Sequence, residues 1–313
     1  MIRSTDIGGG EPRVAHVFPG QGSQWVGMGR EIYQTFPAAR DVFEEADCAL
    51  NFPLSRLCFE GPDGELLQTV NAQPAILTVS IAYLRVLPEL CGDRELISPV
   101  FVAGHRPGEF SALVAGGALS FTDAVRLVRE RGRLMHQVGE RTGGGMVAII
   151  GLEEALIEKI CRDTGTQITN INCPGQIVIS GLRQALTRAT ELSKAMGAYR
   201  AIPLRVSGAF HTPLMEPAVE EMSSFISGLA FRDPVIPVVA NTTAQPLNTV
   251  EEIKAELLYQ LCHCIRWQSS VENMIGAGVR TFIEIGPGRV LTGLIKRIDR
   301  EARTQNIGCM PSS

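Results

Sequence analysis

The sequence predicts an α/β protein: a large parallel-sheet domain with a small βαββαβ domain inserted into it. Three observations carry this. An apolar strand, a sharp Gly-containing turn and an apolar helix follow one another over residues 100–119. Strand, helix, strand, strand, helix and strand fill residues 146–204, the split-βαβ order of a ferredoxin-like unit. The longer α/β pattern then resumes and closes on a strand at 281–285 followed by Gly286-Pro287-Gly288. Residues 11–143 and 206–305 therefore make a discontinuous large domain, 144–205 the small one, and 1–10 and 306–313 loose tails.

Residues 14–18 are a short apolar strand that runs into Pro19-Gly20-Gln21-Gly22-Ser23-Gln24-Trp25, a loop too rich in glycine for regular structure. The loop has the look of a dinucleotide turn. However, Trp25 stands where the third glycine belongs, and no distinct acidic partner for a ribose follows about twenty residues on, which argues against a nucleotide. Apolar residues recur with helical spacing over 27–50 and 72–90. The strand at 100–103 leads to Gly104-His105-Arg106-Pro107-Gly108-Glu109, and 111–119 reads as a buried helix of small residues. A longer helix covers 121–138, with Thr122 as its cap before Asp123. Thr142-Gly143-Gly144-Gly145 marks a flexible joint. The small domain then has strands at 146–150, 168–173, 176–180 and 199–204 and helices at 153–163 and 183–196. The large domain returns with a helix at 215–229, a strand at 235–240, the strand at 281–285 and a terminal helix at 290–303.

Composition narrows the function classes. A chain of 313 residues with 45% hydrophobic and 20% charged residues is long enough for one large core. A net charge of −4 argues against nucleic acid, and no apolar run of about 20 residues suggests a membrane span. The eight cysteines are scattered and form no Cys-x-x-Cys, the pattern of reduced thiols in a cytoplasm. Cys262-His263-Cys264 lacks a second ligand pair, so no metal is expected.

Strand, sharp turn and helix form the layout of a nucleophile elbow, which holds one side chain above the carboxyl edge of a parallel sheet. The large domain is accordingly α/β-hydrolase-like. A serine belongs at the middle of such a Gly-His-x-x-Gly turn, and Arg106 stands there instead.

Four separated segments, Phe18 to Gln24, Gly104-His105-x-x-Gly108-Glu109-Phe110-Ser111-Ala112, Gly208-Ala209-Phe210-His211 and Glu284-Ile285-Gly286-Pro287-Gly288, resemble the malonyl-CoA:acyl carrier protein transacylases. That family includes the acyltransferase domains of fatty acid and polyketide synthesis. Gln73-Pro74-Ala75 and Arg131-Gly132 fit it too, and the resemblance covers about residues 14–300 in order. It implies ping-pong transfer of malonyl from malonyl-CoA, through a serine ester, to the phosphopantetheine thiol of an acyl carrier protein. It implies a monomer with no cofactor of its own, malonyl-CoA being the substrate and phosphopantetheine arriving on the partner.

By the same resemblance His211 is the general base, held by a backbone carbonyl in the stretch His263-Cys264-Ile265-Arg266-Trp267. Arg131 pairs with the malonyl carboxylate, Gln73 lines the substrate site, and Phe210 matches the malonyl-selecting form. Backbone N–H groups of Gln21 and of the residue after the nucleophile stabilise the oxyanion; that second position is Pro107, which has no N–H. The resemblance thus yields an acyltransferase that lacks its nucleophile and one oxyanion donor. Two rivals are a non-catalytic carrier-protein or CoA binder and an acyltransferase with another acyl group or nucleophile. For the latter, Ser111 points away from the pocket by helical spacing, whereas Cys264 falls near His211. Lys296, Arg297, Arg300 and Arg303 on the terminal helix, with Lys194 and Arg200, fit either a basic face for an acidic carrier protein or, equally, a solvated helix face.

Overall fold

The computed structural model describes residues 13–91, 98–206 and 208–308. A six-stranded sheet forms the centre. Its inner strands are β1 (Arg13–Phe18), β2 (Phe101–Gly104) and β9 (Val279–Ile285), joined by β7 (Val238–Val239), β8 (Pro246–Leu247) and β10 (Arg303–Ile307) in the order β10-β9-β1-β2-β7-β8. All neighbours pair parallel except β7 and β8. β1 is buried from Val14 to Phe18 because sheet and helices cover both its faces, which is why it reads as an unbroken apolar run.

The helices depart from the spacing in several places. The segment 27–50 is broken at Phe36 into α1 (Arg30–Thr35) and α2 (Pro37–Leu50), since Pro37 can open a helix but not continue one. Two short helices, α3 (Leu54–Glu60) and α4 (Asp63–Leu66), were not anticipated. α5 (Thr69–Leu90) has 22 residues and is, by length and composition, apolar enough to cross a membrane, contrary to the reading from apolar runs. It is largely buried inside the fold, against α2 and α7 (Phe121–Thr142). The cap of α7 is Ser120, not Thr122: the Ser120 hydroxyl accepts the Asp123 N–H at 3.1 Å. α6 (Gly108–Ala115) begins immediately after the turn, with Pro107 as its first flanking residue.

The expected joint at 142–145 is not a linker. Thr142 ends α7, Gly143 caps it at φ 63°, and Gly144 already starts β3 (Gly144–Ile150). With β4 (Gln167–Cys173), β5 (Gln176–Leu182) and β6 (Arg200–Pro203), β3 makes a separate antiparallel sheet in the order β4-β5-β3-β6. Its helices are α8 (Glu154–Thr164) and α9 (Arg183–Ala195). Alternation along the strands divides their side chains between two cores. Val147, Ile149, Ile177 and Ile179 join Ile157 and Ile160 of α8, while Met146, Ala148 and Val178 belong to the main core. Ile265 locks the arrangement, since its carbonyl accepts from Ile171 N–H and its N–H donates to Thr169 carbonyl, each at 2.9 Å.

Toward the C-terminus a 3-10 turn (Pro213–Ala218) precedes α10 (Val219–Ser227), and the strand expected at 235–240 shrinks to the two residues of β7. α11 (Val250–Tyr259) and α12 (Trp267–Gly276) went unread. The terminal helix α13 (Val290–Ile298) stops at Ile298, and Arg303 begins β10. Residues 306 and 307 are therefore sheet rather than loose tail, and Arg300 and Arg303 lie off the helix. The calls on residues 1–10, on 309–313 and on Ser207 lie outside the described residues.

Glycines set the distances at the carboxyl edge. Phe18 pairs with Gly104, so the loops after β1 and β2 emerge side by side. A Cβ on Gly108 would lie 2.3 Å from the Phe18 carbonyl oxygen, and one on Gly104 would lie 1.9 Å from the Gly108 backbone. Gly104→Ala is therefore expected to destabilise the protein by about 3 kcal/mol or more, the upper end of overpacking costs, in urea unfolding. Gly143→Ala, with a positive φ but nothing within 4 Å, is expected to cost about 1–2 kcal/mol, the backbone penalty alone. Equal effects would show that close packing does not set the turn.

Candidate active site

Arg106 occupies the turn between β2 and α6 at φ 56°, a left-handed conformation that costs a non-glycine residue about 1–2 kcal/mol. Its N–H donates to Asn241 Oδ1 at 3.0 Å, holding the backbone of the turn. The side chain is 8% exposed and turns toward β4, where Nη2 donates to Asn170 Oδ1 at 2.5 Å. Burial lowers its pKa to about 10, so the guanidinium remains charged near neutral pH and offers no nucleophilic lone pair. Next to it, His105 Nε2 meets Asn172 Oδ1 at 3.0 Å and the ring lies edge-on to Trp267. Burial, helped by the Arg106 charge, lowers the His105 pKa to about 3.

His211 is also buried and left-handed, at φ 60°. Its Nδ1 lies 2.6 Å from the Gln260 carbonyl oxygen. A carbonyl only accepts, so Nδ1 carries the proton and Nε2 is left as the basic nitrogen. Burial, then the charges of Arg106 and Arg131, hold the imidazole well below its ordinary value and therefore neutral. The backbone acceptor expected in the stretch 263–267 is thus Gln260 instead. That stretch serves another purpose, tying Ile265 to β4. Cys264 lines a cavity with Cys161, Glu158 and Arg266, and burial pushes its thiol up to about 11.

Arg131 is 1% exposed, which rules out a solvated helix face. Its Nη1 donates to Gln73 Oε1 at 2.8 Å and Nη2 to Gln260 Oε1 at 2.9 Å. Gly132 makes this possible: a Cβ there would lie 2.6 Å from the Thr69 carbonyl oxygen, so only glycine lets α7 approach α5 so closely. The Gln260 amide nitrogen donates to Glu109 Oε2, and Glu109 Oε1 accepts the Asn241 N–H at 2.9 Å. Burial, then the neighbouring Glu256, raises the Glu109 pKa well above the usual carboxylate range. Glu256 in turn accepts the Thr242 N–H and hydroxyl.

The other sequence candidates fall as follows. Gln21 is half-buried, its side-chain oxygen accepting the Thr69 hydroxyl at 2.6 Å, and among the described residues no hydrogen bond uses its backbone N–H. Pro107, at φ −63°, fits the first turn of α6 without strain. Phe210 is buried in the main core, its carbonyl accepting from Ser180 Oγ at 3.1 Å. Ser111 Oγ is buried and, among the described residues, has no hydrogen-bond partner. Among the described residues no group of three His, Cys, Asp or Glu is placed to hold a metal, and His263 stacks on Tyr259. Sequence reasoning missed Gln260, Asn170, Asn172, Asn241 and Glu256. Only Glu109, inside the quoted Gly-x-x-x-Gly-Glu run, carried a signal, as an acidic residue in an otherwise apolar helix.

The chain matches the acyl transferase domain family over residues 15–309. The malonyl CoA-acyl carrier protein transacylase of Bacillus subtilis (strain 168) is 47% identical over 297 residues, covering 93% of this chain and 92% of that one. That of Staphylococcus aureus (strain MRSA252) is 41% identical over 300 residues, covering 94% and 95%. Among solved structures, the acyl-carrier-protein S-malonyltransferase of Bartonella henselae superposes with a TM-score of 0.90 at 43% identity, covering 95% and 96% of the two chains. A malonyl-transacylase in complex with a type II PKS acyl-carrier protein gives 0.91 at 40% identity, covering 95% and 96%.

The buried imidazoles carry a pH dependence of stability. With a folded pKa of about 3 against an ordinary 6.5 for His105, the unfolded chain binds a proton in that window that the folded chain does not. Stability is therefore full above the upper value and falls as pH is lowered through the window, by about 1.4 kcal/mol per pH unit for this one group. His105→Gln cannot titrate, so its unfolding free energy is expected to decline less steeply between about pH 7 and about pH 5. Parallel declines in urea titrations of the two proteins would mean that His105 takes up its proton in the folded state.

Proposed function

The chain belongs to the acyl transferase domain family, and from that premise we propose that it has the site of a malonyl-CoA:acyl carrier protein transacylase with the ester-forming step disabled. The observation that carries this is Arg106 at φ 56° in the turn after β2, the position of the acyl acceptor. Three further groups support this reading. His211 presents a neutral Nε2, Arg131 presents a guanidinium, and Gln21 has a backbone N–H uncommitted among the described residues. In this reading Arg131 receives the malonyl carboxylate in two parallel charge-assisted hydrogen bonds, and Gln21 holds the oxyanion. The 144–205 unit, a ferredoxin-like insert, supplies Asn170 as the far wall.

The chemistry stops at the first step. His211 has no hydroxyl proton to take, and Arg106 has no lone pair to attack the thioester carbonyl. Removing such a nucleophile costs on the order of a million-fold, and Pro107 removes a donor worth about a hundred- to a thousand-fold. These losses overlap, because parts of one catalytic unit are not additive. What remains is recognition of the acyl-CoA and of the carrier protein. Basic residues near the small sheet, including Lys296 and Arg297, fit the carrier; Arg297 donates to Gln176 of β5 at 2.8 Å.

The test is formation of a malonyl ester on the intact protein, read by mass after mixing with malonyl-CoA. The chain as it stands is expected to gain no mass. Arg106→Ser is expected to gain one malonyl group, and adding Pro107→Leu to raise transfer to the carrier by about a hundred-fold. Pro107→Leu alone is expected to do nothing. An ester on the unaltered chain that disappears in His211→Ala would overturn the proposal by revealing another nucleophile.

A further inference from the structure

The segment just after β7 is gripped by two buried carboxyl groups. Glu109 Oε1 accepts the Asn241 N–H at 2.9 Å, and Glu256 Oε1 accepts the next one, the Thr242 N–H, also at 2.9 Å. Glu256 Oε2 takes the Thr242 hydroxyl at 2.5 Å, so both of its oxygens serve one residue. Both carboxyl groups are more than nine-tenths buried. Burial raises the pKa of each, and Glu256 raises that of Glu109 further, while hydrogen bonds from Asn241 and the charge of Arg131 draw Glu109 back. Two acidic groups brought together in the interior are costly, and an apolar side chain of similar size at 256 would avoid that cost. Packing alone therefore does not account for Glu256.

The two grips come from different parts of the site. Glu109 lies on α6, directly after the turn that carries residue 106. Glu256 lies on α11, one turn before Gln260, whose N–H donates to the Glu256 carbonyl at 2.8 Å. The Gln260 amide nitrogen reaches Glu109 in turn. Glu256, Thr242, Asn241, Glu109 and Gln260 thus form a closed ring, stiffer than an open chain of the same bonds. Two groups of the site hang on it. Asn241 Oδ1 accepts the Arg106 N–H at 3.0 Å, and the Gln260 carbonyl lies 2.6 Å from His211 Nδ1. Removing the Glu256 carboxyl opens the ring and leaves the Thr242 N–H buried and unpaired.

We propose that Glu256 is a positioning residue of the acyl site: by closing this ring it holds the turn at 106 and the His211 imidazole in one mutual arrangement. It acts through Thr242 and Gln260 and takes no part in proton transfer. The inference rests on the reading of His211 as the base and of residue 106 as the acyl position.

Two magnetic resonance readouts on the intact protein near neutral pH test this. One is the nitrogen signals of the His211 ring, assigned with His211→Gln, which report its tautomer. The other is hydrogen exchange at the Arg106 N–H, compared with Phe282 in β9, which reports global opening. The unaltered chain is expected to show one tautomer, protonated on Nδ1, and a protected Arg106 N–H. Glu256→Ala is expected to populate the second tautomer and to speed exchange at Arg106, relative to Phe282, by about tenfold or more, the worth of one hydrogen bond to a charged group. Glu256→Gln, whose amide can serve both Thr242 groups, is expected to match the unaltered chain. Thr242→Val lacks the hydroxyl and is expected to move both readouts the same way by less. If Glu256→Ala does not fold, Thr242→Val decides in its place. Lower stability with both readouts unmoved would overturn the proposal, because Glu256 would then only support the fold. So would movement of one readout without the other, equal effects of Glu256→Gln and Glu256→Ala, or mixed tautomers in the unaltered chain. The functional reading fails separately: a malonyl ester on the unaltered chain overturns that reading and leaves both readouts as they are.

Discussion

One residue, Gln260, joins the parts of the site that would otherwise be independent. Its carbonyl takes the Nδ1 proton of His211, its side-chain oxygen takes Nη2 of Arg131, and its amide nitrogen reaches Glu109. Glu109 continues the chain to the Asn241 backbone, and the Asn241 side chain holds the N–H of Arg106. Tautomer, cation position and turn conformation are thus set by one run of hydrogen bonds through fully buried groups. Gln260 itself is fixed by the end of α11, its N–H donating to the Glu256 carbonyl at 2.8 Å. In a low-dielectric interior each member strengthens the next, and losing one leaves a neighbour unsatisfied.

Much of this was legible in the residues, for reasons that differ from place to place. β1, β2 and β9 could be read because strands buried on both faces are continuous apolar runs. The turn at 104–108 could be read because two of its glycines have no room for a Cβ. β7 and β10 were misjudged: β7 keeps only two paired residues, and β10 is a polar edge strand, Arg-Thr-Gln-Asn-Ile, with no apolar pattern. Gln260 could not be found from sequence, since its contribution to His211 is a backbone carbonyl, which every residue has. Asn170 and Asn172 were hidden for a related reason. They alternate along β4 with apolar residues and resemble an ordinary solvated face, yet both are buried because β4 lies against the turn between β2 and α6.

The small sheet is best understood as a wall with two sides. Its strands share one set of side chains with α8 and α9 and the other with the main core, and Ile265 stitches its edge to the segment before α12. Arg106 reaches that wall through Asn170. A side chain long enough to cross from one unit to the other couples them in a way a serine could not, because a serine ends at its hydroxyl.

The glycines of the turn have a consequence for how such proteins are classified. Gly104 and Gly108 shape the backbone through contacts with Phe18 and with each other, and neither contact involves the side chain at 106. The glycine contacts therefore leave the identity of the side chain at 106 open, although its left-handed backbone does not. Inheritance of the architecture and inheritance of the reaction are therefore separate traits. Resemblance across the whole chain measures the first; a single side chain reports the second.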